Sequence, residues 1–199
     1  MKGMLKLGIV LALYATAACV GLAFVYSATS ETIAIRQQAD LKVALQELFP
    51  EGDGFTDITG TISSPDAAVA FETQYAARKG TALIGAAIQA SAASYGGTLK
   101  VLVGVGVDGR ISRVKILEHQ DTPGLGANAA APTYYVDKGK KITFYGQFAG
   151  KSLEDPFEVK GDVVAITAST ITSRAVTGAV KASGDAASLW LAAQTGGAP

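Results

Sequence analysis

The chain has 199 residues with 17 Lys plus Arg against 17 Asp plus Glu, so it holds no basic excess with which to neutralise nucleic-acid phosphates. A single cysteine, Cys19, and a single histidine, His119, exclude an internal disulfide and any zinc or iron–sulfur cage built from this chain's Cys and His alone. Any redox chemistry must therefore come from an organic cofactor, and a hydrophobic fraction of 49% with 23 glycines asks where the apolar excess sits.

It sits largely at the N-terminus. No residue from Leu7 to Ser30 is charged, a run long enough to span a bilayer, which needs about 20 apolar residues. Lys2 and Lys6 precede the run, and Glu31, Arg36 and Asp40 follow it. The positive-inside rule then predicts a cytoplasmic N-terminus, with the chain from residue 31 onward outside the cell membrane. Tyr26 is placed for an interfacial aromatic belt. Two other readings stand beside a retained single-pass anchor. A cleaved secretory signal has a shorter apolar core, of about 7–15 residues. A lipoprotein signal ending at Ala17-Ala18-Cys19 would have Thr16 where a large aliphatic residue is expected. All three export the remainder, and the chain divides into an anchor (1–30), a helix and connector (31–66) and a folded domain (67–199).

Ile35, Leu41, Leu45 and Leu48 lie near helical spacing, and Pro50 with the following Glu-Gly-Asp-Gly stops the pattern, which predicts a helix over 31–49. Residues 51–66 are rich in Gly, Thr, Ser and Asp and read as a turn-rich connection. The Ala-rich stretch 67–93 has mixed periodicity and fixes neither helix nor strand. Residues 98–117 give the strongest local signal: two alternating Val-rich runs flank Asp108-Gly109, a β-hairpin with a type I′ turn. Leu99, Val101, Val103, Val105 and Val107 share one face. Gly104 and Gly106 on the other admit a close neighbour or mark a bulge.

Glu118-His119-Gln120-Asp121-Thr122-Pro123-Gly124-Leu125-Gly126 follows as a loop whose Pro and Gly residues set an unusual backbone path. Thr143 to Lys151 reads as a short aromatic strand ending in a turn. Val163 to Ile166 reads as a short strand leading into the hydroxyl cluster Thr167-Ala168-Ser169-Thr170-Ile171-Thr172-Ser173. Ala175, Val176, Ala179 and Val180 then show helical spacing. The tail after Gly184 is Ala-rich, with Trp190 as a docking side chain and a flexible Gly-Gly-Ala-Pro end.

Each motif has a plain structural explanation. The hydroxyl cluster between a strand and a helix is suited to N-capping, yet the same geometry offers unpaired N–H groups and a positive dipole to a phosphate. His119 alone is commonly a hydrogen-bonded structural residue, and Tyr95-Gly96-Gly97 a turn before a strand. Glycines in the 121–126 loop allow a planar ligand or another backbone to approach closely.

Taken together, Tyr95-Gly96-Gly97, the Asp108-Gly109 hairpin, His119 to Gly126, Gln147-Phe148-Ala149-Gly150-Lys151 and Ile166 to Val176 resemble the covalent FMN-binding domain family. The motifs cover roughly residues 90–182. A chain of this length with one N-terminal span is most similar to the G subunits of Rnf ion-translocating ferredoxin:NAD oxidoreductases. It is also similar to the usually longer C subunits of sodium-translocating NADH:quinone oxidoreductases. The resemblance implies an α+β fold: one N-terminal transmembrane helix, then an extracytoplasmic FMN-binding domain with an antiparallel sheet and flanking helices. It implies FMN joined by a flavin transferase to Thr170 through a phosphoester. Ser169, Ile171, Thr172, Ser173, His119, Asp121, Thr122, Pro123, Gly124, Leu125, Gly126, Tyr95 and Lys151 are then further cofactor-site candidates. The chain departs from the family pattern at Ala168, where glycine is usual, at Ser169 for alanine and at Val164 for aspartate, with Asp162 two residues earlier. The implied role is electron carriage within a respiratory membrane complex beside RnfA, RnfB, RnfC, RnfD and RnfE, coupled to Na+ or H+ transport, with no substrate reaction catalysed alone. A membrane-anchored binding or assembly module without flavin shares the anchor, the hairpin and the helix.

Overall fold

The structure, a computed structural model, describes residues 2–196. Its contacts divide it into two compact units, Met1–Val43 and Ala44–Pro199. The first unit is the greater part of helix α1 (Lys2–Leu48), which is long and apolar enough to cross a bilayer. No proline interrupts it before Pro50, so the helix runs unbroken through residue 30, where the composition turns polar. Its side chains carry the apolar surface outward: Leu11 is 72% and Phe24 75% exposed. Thr16 and Thr29 donate their hydroxyls to the carbonyls of Ala12 and Val25, leaving neither donor unpaired on that surface.

In the second unit, five antiparallel strands pair in chain order. They are β1 (Gly54–Asp57), β2 (Val69–Lys79), β3 (Ala82–Ala93), β4 (Thr98–Gly106) and β5 (Ile111–Glu118). The stretch that the sequence leaves unassigned is thus the β2–β3 hairpin, turning at Gly80 with φ +60°. Alanine has weak strand propensity, and these alanines are chosen for size instead. Ala86, Ala87 and Ala90 are wholly buried under their neighbours. Gly85 shows the same demand, since a Cβ there would lie 2.6 Å from the Phe49 ring and 2.4 Å from the Val105 carbonyl.

The predicted β4–β5 hairpin is present, with a different turn. Type I′ needs positive φ at both central residues, but Gly109 alone has it, at +72°. The Gly109 N–H donates to Gly106 O and the Gly106 N–H to Arg110 O, which makes a three-residue loop with glycine in the left-handed position. Leu99, Val101, Val103 and Val105 are fully buried, whereas Val107 falls in that loop and is exposed. On the opposite face, a Cβ on Gly104 would meet the Leu48 side chain at 3.1–3.2 Å. The last turn of α1 is therefore the close neighbour, anchored by the Ser112 hydroxyl donating to Leu48 O at 2.6 Å and by Lys115–Glu47 at 2.7 Å.

Residues 142–151 correct the expected aromatic strand. Only Ile142–Thr143 is strand, β7, paired with β6 (Tyr135–Asp137), and Tyr145–Phe148 forms a 3₁₀ turn. That turn stacks Phe148 edge-on to Phe144, centroids 5.8 Å apart, and buries both rings completely, which a solvent-facing alternation could not do. Residues 163–166 likewise form no strand. The Gln147 amide replaces a partner strand, accepting from the Val164 N–H at 2.8 Å and donating to Val164 O at 3.1 Å. Helix α2 (Thr170–Thr195) closes the core, laying Val176, Ala179, Val180, Ala187 and Leu191 on β3 and β4. It continues through Gly184, where a Cβ would come within 2.8 Å of Leu153, and Trp190 docks on the core as expected. Residues 197–199 of the expected flexible end lie outside the described residues.

Candidate cofactor site

A cleft of about 520 Å³ opens where the start of α2 meets the 121–126 loop and the β3–β4 turn. This is within the range of about 300–1,000 Å³ usual for cofactor pockets. It is lined by Tyr95, Asp121, Thr122, Leu125, Gly126 and the continuous segment Ala168 to Thr172. Three stretches that are distant in sequence thus share one concavity.

The hydroxyl cluster does not cap its helix. Ser169 holds the N-cap position but makes no side-chain capping bond. Ser173 turns its hydroxyl inward instead, donating to Ser169 O at 2.9 Å and accepting from the Ile166 N–H at 2.9 Å. The first N–H groups of α2, at Thr170, Ile171 and Thr172, consequently have no acceptor among the described residues. Thr172 is 1% exposed and its Oγ1 is buried with no partner among the described residues. A buried orphan hydroxyl costs free energy on the order of 1–3 kcal/mol unless a ligand satisfies it. Helical N–H groups, dipole and hydroxyl together fit a phosphate, and the half-buried Thr170 side chain stands at their edge. The FMN group is therefore one that these residues can accommodate.

Ala168 precedes this segment with φ +60°, a left-handed conformation that glycine adopts at no steric cost. Gly126 is needed for close approach: a Cβ would lie 2.6 Å from Thr172 Oγ1 and 2.7 Å from Asp121 Cβ and Cγ.

Of the sequence candidates, Tyr95, Asp121, Thr122, Leu125, Gly126, Ser169, Thr170, Ile171 and Thr172 meet at the cleft. Pro123 and Gly124 lie on the exposed outer side of the same loop, and Ser173 points into the core. His119 is half-buried just before the loop, with Nδ1 buried and without a partner among the described residues. Lys151 belongs to a separate cluster, 2.7 Å from Asp162 and 3.6 Å from Asp155, with its ammonium over the Phe157 ring. Burial pushes the Asp162 carboxyl up. Bonds from Lys151 and the Glu158 N–H, with the Lys151 charge, outweigh that and hold it below the ordinary value. Asp162 is thereby committed to its own loop. One participant had no sequence signal: Ser94, whose hydroxyl donates to Asp121 at 2.7 Å.

Comparison with known proteins bears on both units. Residues 94–184 match the FMN-binding domain family, and residues 1–48 match the RnfG N-terminal region family. The chain is 33% identical to the G subunit of the proton-translocating ferredoxin:NAD(+) oxidoreductase complex of Clostridium ljungdahlii, over 80% of this chain and 78% of the relative. It is 33% identical to the G subunit of the ion-translocating oxidoreductase complex of Cereibacter sphaeroides, over 87% and 79%. With the G subunit of the Na(+)-translocating ferredoxin:NAD(+) oxidoreductase complex of Acetobacterium woodii the identity is 30%, over 92% and 90%. With the N-terminal region and the domain matched in one chain, this protein belongs to the family of G subunits of ion-translocating oxidoreductase complexes, and residues 94–184 of its folded unit carry the FMN-binding domain.

Proposed function

We propose that this chain is the flavin-carrying electron-transfer subunit of a membrane-bound ion-translocating ferredoxin:NAD oxidoreductase complex, with FMN joined to Thr170 by a phosphoester. One observation carries the attachment: the uncapped N–H groups of residues 170–172 share the cleft with the orphaned Thr172 hydroxyl, and Thr170 opens that helix. When bound, FMN supplies an isoalloxazine that accepts and passes electrons. The chain's own residues position and shield. Thr170 to Thr172 would hold the phosphate end, and Tyr95, Thr122 and Leu125 would border the ring end. A threonine hydroxyl is a weak nucleophile, and no base bonds to Thr170 among the described residues, so a separate transferase forms the ester. The partners are the other subunits of such a complex, RnfA to RnfE, in keeping with relatives that are themselves named as subunits of one.

The test is to produce the full chain with a flavin transferase and FMN and to compare Thr170→Ala with Thr172→Ala. Intact mass, peptide mapping and ultraviolet fluorescence on a denaturing gel read the adduct. Loss confined to Thr170→Ala is expected. An adduct that persists in that variant, or maps to another hydroxyl, overturns the assignment.

A further inference from the structure

One buried carboxylate joins the two loops at the mouth of the cleft. The β3–β4 loop, residues 94–97, closes through the Ser94 N–H donating to Gly97 O at 2.8 Å. Asp121, only 6% exposed, reaches into it from the facing loop. Its Oδ2 accepts from the Ser94 hydroxyl at 2.7 Å and its Oδ1 from the Gly96 N–H at 2.8 Å. The two bonds hold the residues immediately before and after Tyr95. The backbones meet so closely that a Cβ on Gly96 would stand 2.2 Å from Gln120 O and 2.8 Å from Asp121 Cα. Gly97, at φ +138°, has Gln120 Oε1 2.8 Å from where its Cβ would be. Tyr95 between them is 73% exposed and yet lines the cleft.

An aromatic side chain at the tip of a hairpin has little of its own to fix it. Here a charged acceptor, buried and bonded on both sides of the residue, removes the backbone freedom that would let the ring swing away. We propose that Asp121 is a positioning residue: through Ser94 and Gly96 it fixes Tyr95 as one wall of the cleft, so that the tyrosine ring shields the bound isoalloxazine from solvent. The proposal rests on the FMN reading above. Within it, the acidic residue of the loop acts on the flavin through a second loop rather than as a ligand.

Two readouts keep that reading and this role apart. In flavin-loaded full-length chain, iodide quenching of flavin fluorescence, per flavin counted by intact mass, measures shielding. Tyr95→Leu should raise quenching, Asp121→Ala should raise it to the same level, and the double variant should rise no further, because both remove one wall. In flavin-free chain carrying 3-fluorotyrosine, the ¹⁹F signal of Tyr95 should narrow and move toward the unfolded position in Asp121→Ala, while the signals of the other tyrosines stay in place. Ser94→Ala, which deletes only the Oδ2 bond, carries both readouts if Asp121→Ala does not fold. A Tyr95 signal unmoved by loss of Asp121 or Ser94, unchanged iodide quenching in the loaded variants, or additive effects in the double variant overturns the role. A wild-type chain that takes up no flavin overturns the FMN reading, and the ¹⁹F result then decides the clamp by itself.

Discussion

At Ala168 the backbone adopts φ +60° directly before the helix that opens the cleft. A left-handed conformation costs an L-residue about 1–2 kcal/mol, and glycine escapes that strain at an entropic cost of about 0.5–1 kcal/mol. Ala168→Gly should therefore stabilise the protein by about 0.5–1 kcal/mol, read as a higher denaturant midpoint of the full chain in detergent. Two glycines of the 121–126 loop separate space from conformation in the same way. Gly126 has normal φ but no room, with Thr172 Oγ1 2.6 Å from its would-be Cβ. Gly126→Ala should cost about 1–3 kcal/mol from overpacking and reduce flavin incorporation. Gly124 has open space but φ +78°. Gly124→Ala should cost about 1 kcal/mol from backbone strain alone, with flavin incorporation retained. Equal loss of incorporation in both variants would contradict this division.

Elements are fastened here by single side chains reaching between loops. The loop before α2 hangs on two of them: the Gln147 amide, bonded to both backbone groups of Val164, and Asp162, which takes N–H groups of Phe157 and Glu158 as well as the Lys151 ammonium. Since the folded Asp162 carboxyl lies below its unfolded value of about 3.9, it binds fewer protons folded than unfolded as pH approaches that value. Its contribution is complete above the unfolded pKa and disappears as pH falls through the folded one. Asp162→Asn should consequently be less stable than wild type at neutral pH, and the gap in denaturant midpoint should close progressively below about pH 4. A gap independent of pH would mean that Asp162 acts through shape and neutral hydrogen bonds only.

For the whole molecule, the decisive asymmetry is the one between the ends of the apolar run. Lys2 and Lys6 flank its start, and acidic Glu31 is the first charge after it. With positive charge retained on the cytoplasmic side, the FMN-binding domain is expected outside, where no FMN pool would replace a dissociated cofactor; a covalent tether suits that side. Protease added to spheroplasts should digest the domain, and added to sealed inverted vesicles should leave it whole. The opposite pattern would reverse the topology.

Several parts of this architecture follow from sequence because their causes are local. The long apolar helix is set by a run without charges, and β4 and β5 by alternating Leu and Val around Asp108-Gly109, whose buried face the structure reproduces from Leu99 to Val105. The start of α2 announces itself as hydroxyls followed by helical spacing. Other parts have causes that lie elsewhere in the chain. The Ala-rich strands β2 and β3 carry no strand signature because their alanines answer to the neighbours that cover them. The 3₁₀ turn at Tyr145–Phe148 exists to bury two rings rather than to continue an alternation. The turn at Gly109 has one left-handed residue, not two, a choice made by how the strands meet. The cleft is the clearest case, since Ser94 and Asp121 are 27 residues apart and Thr172 lies far beyond both. Residue types along the chain marked a hydroxyl-rich helix start, open to capping or to phosphate binding, and a glycine loop. Only the folded sheet, by setting the β3–β4 turn against that loop, decided that a carboxylate would grip both sides of Tyr95 and that the Thr172 hydroxyl would be left without a partner among the described residues.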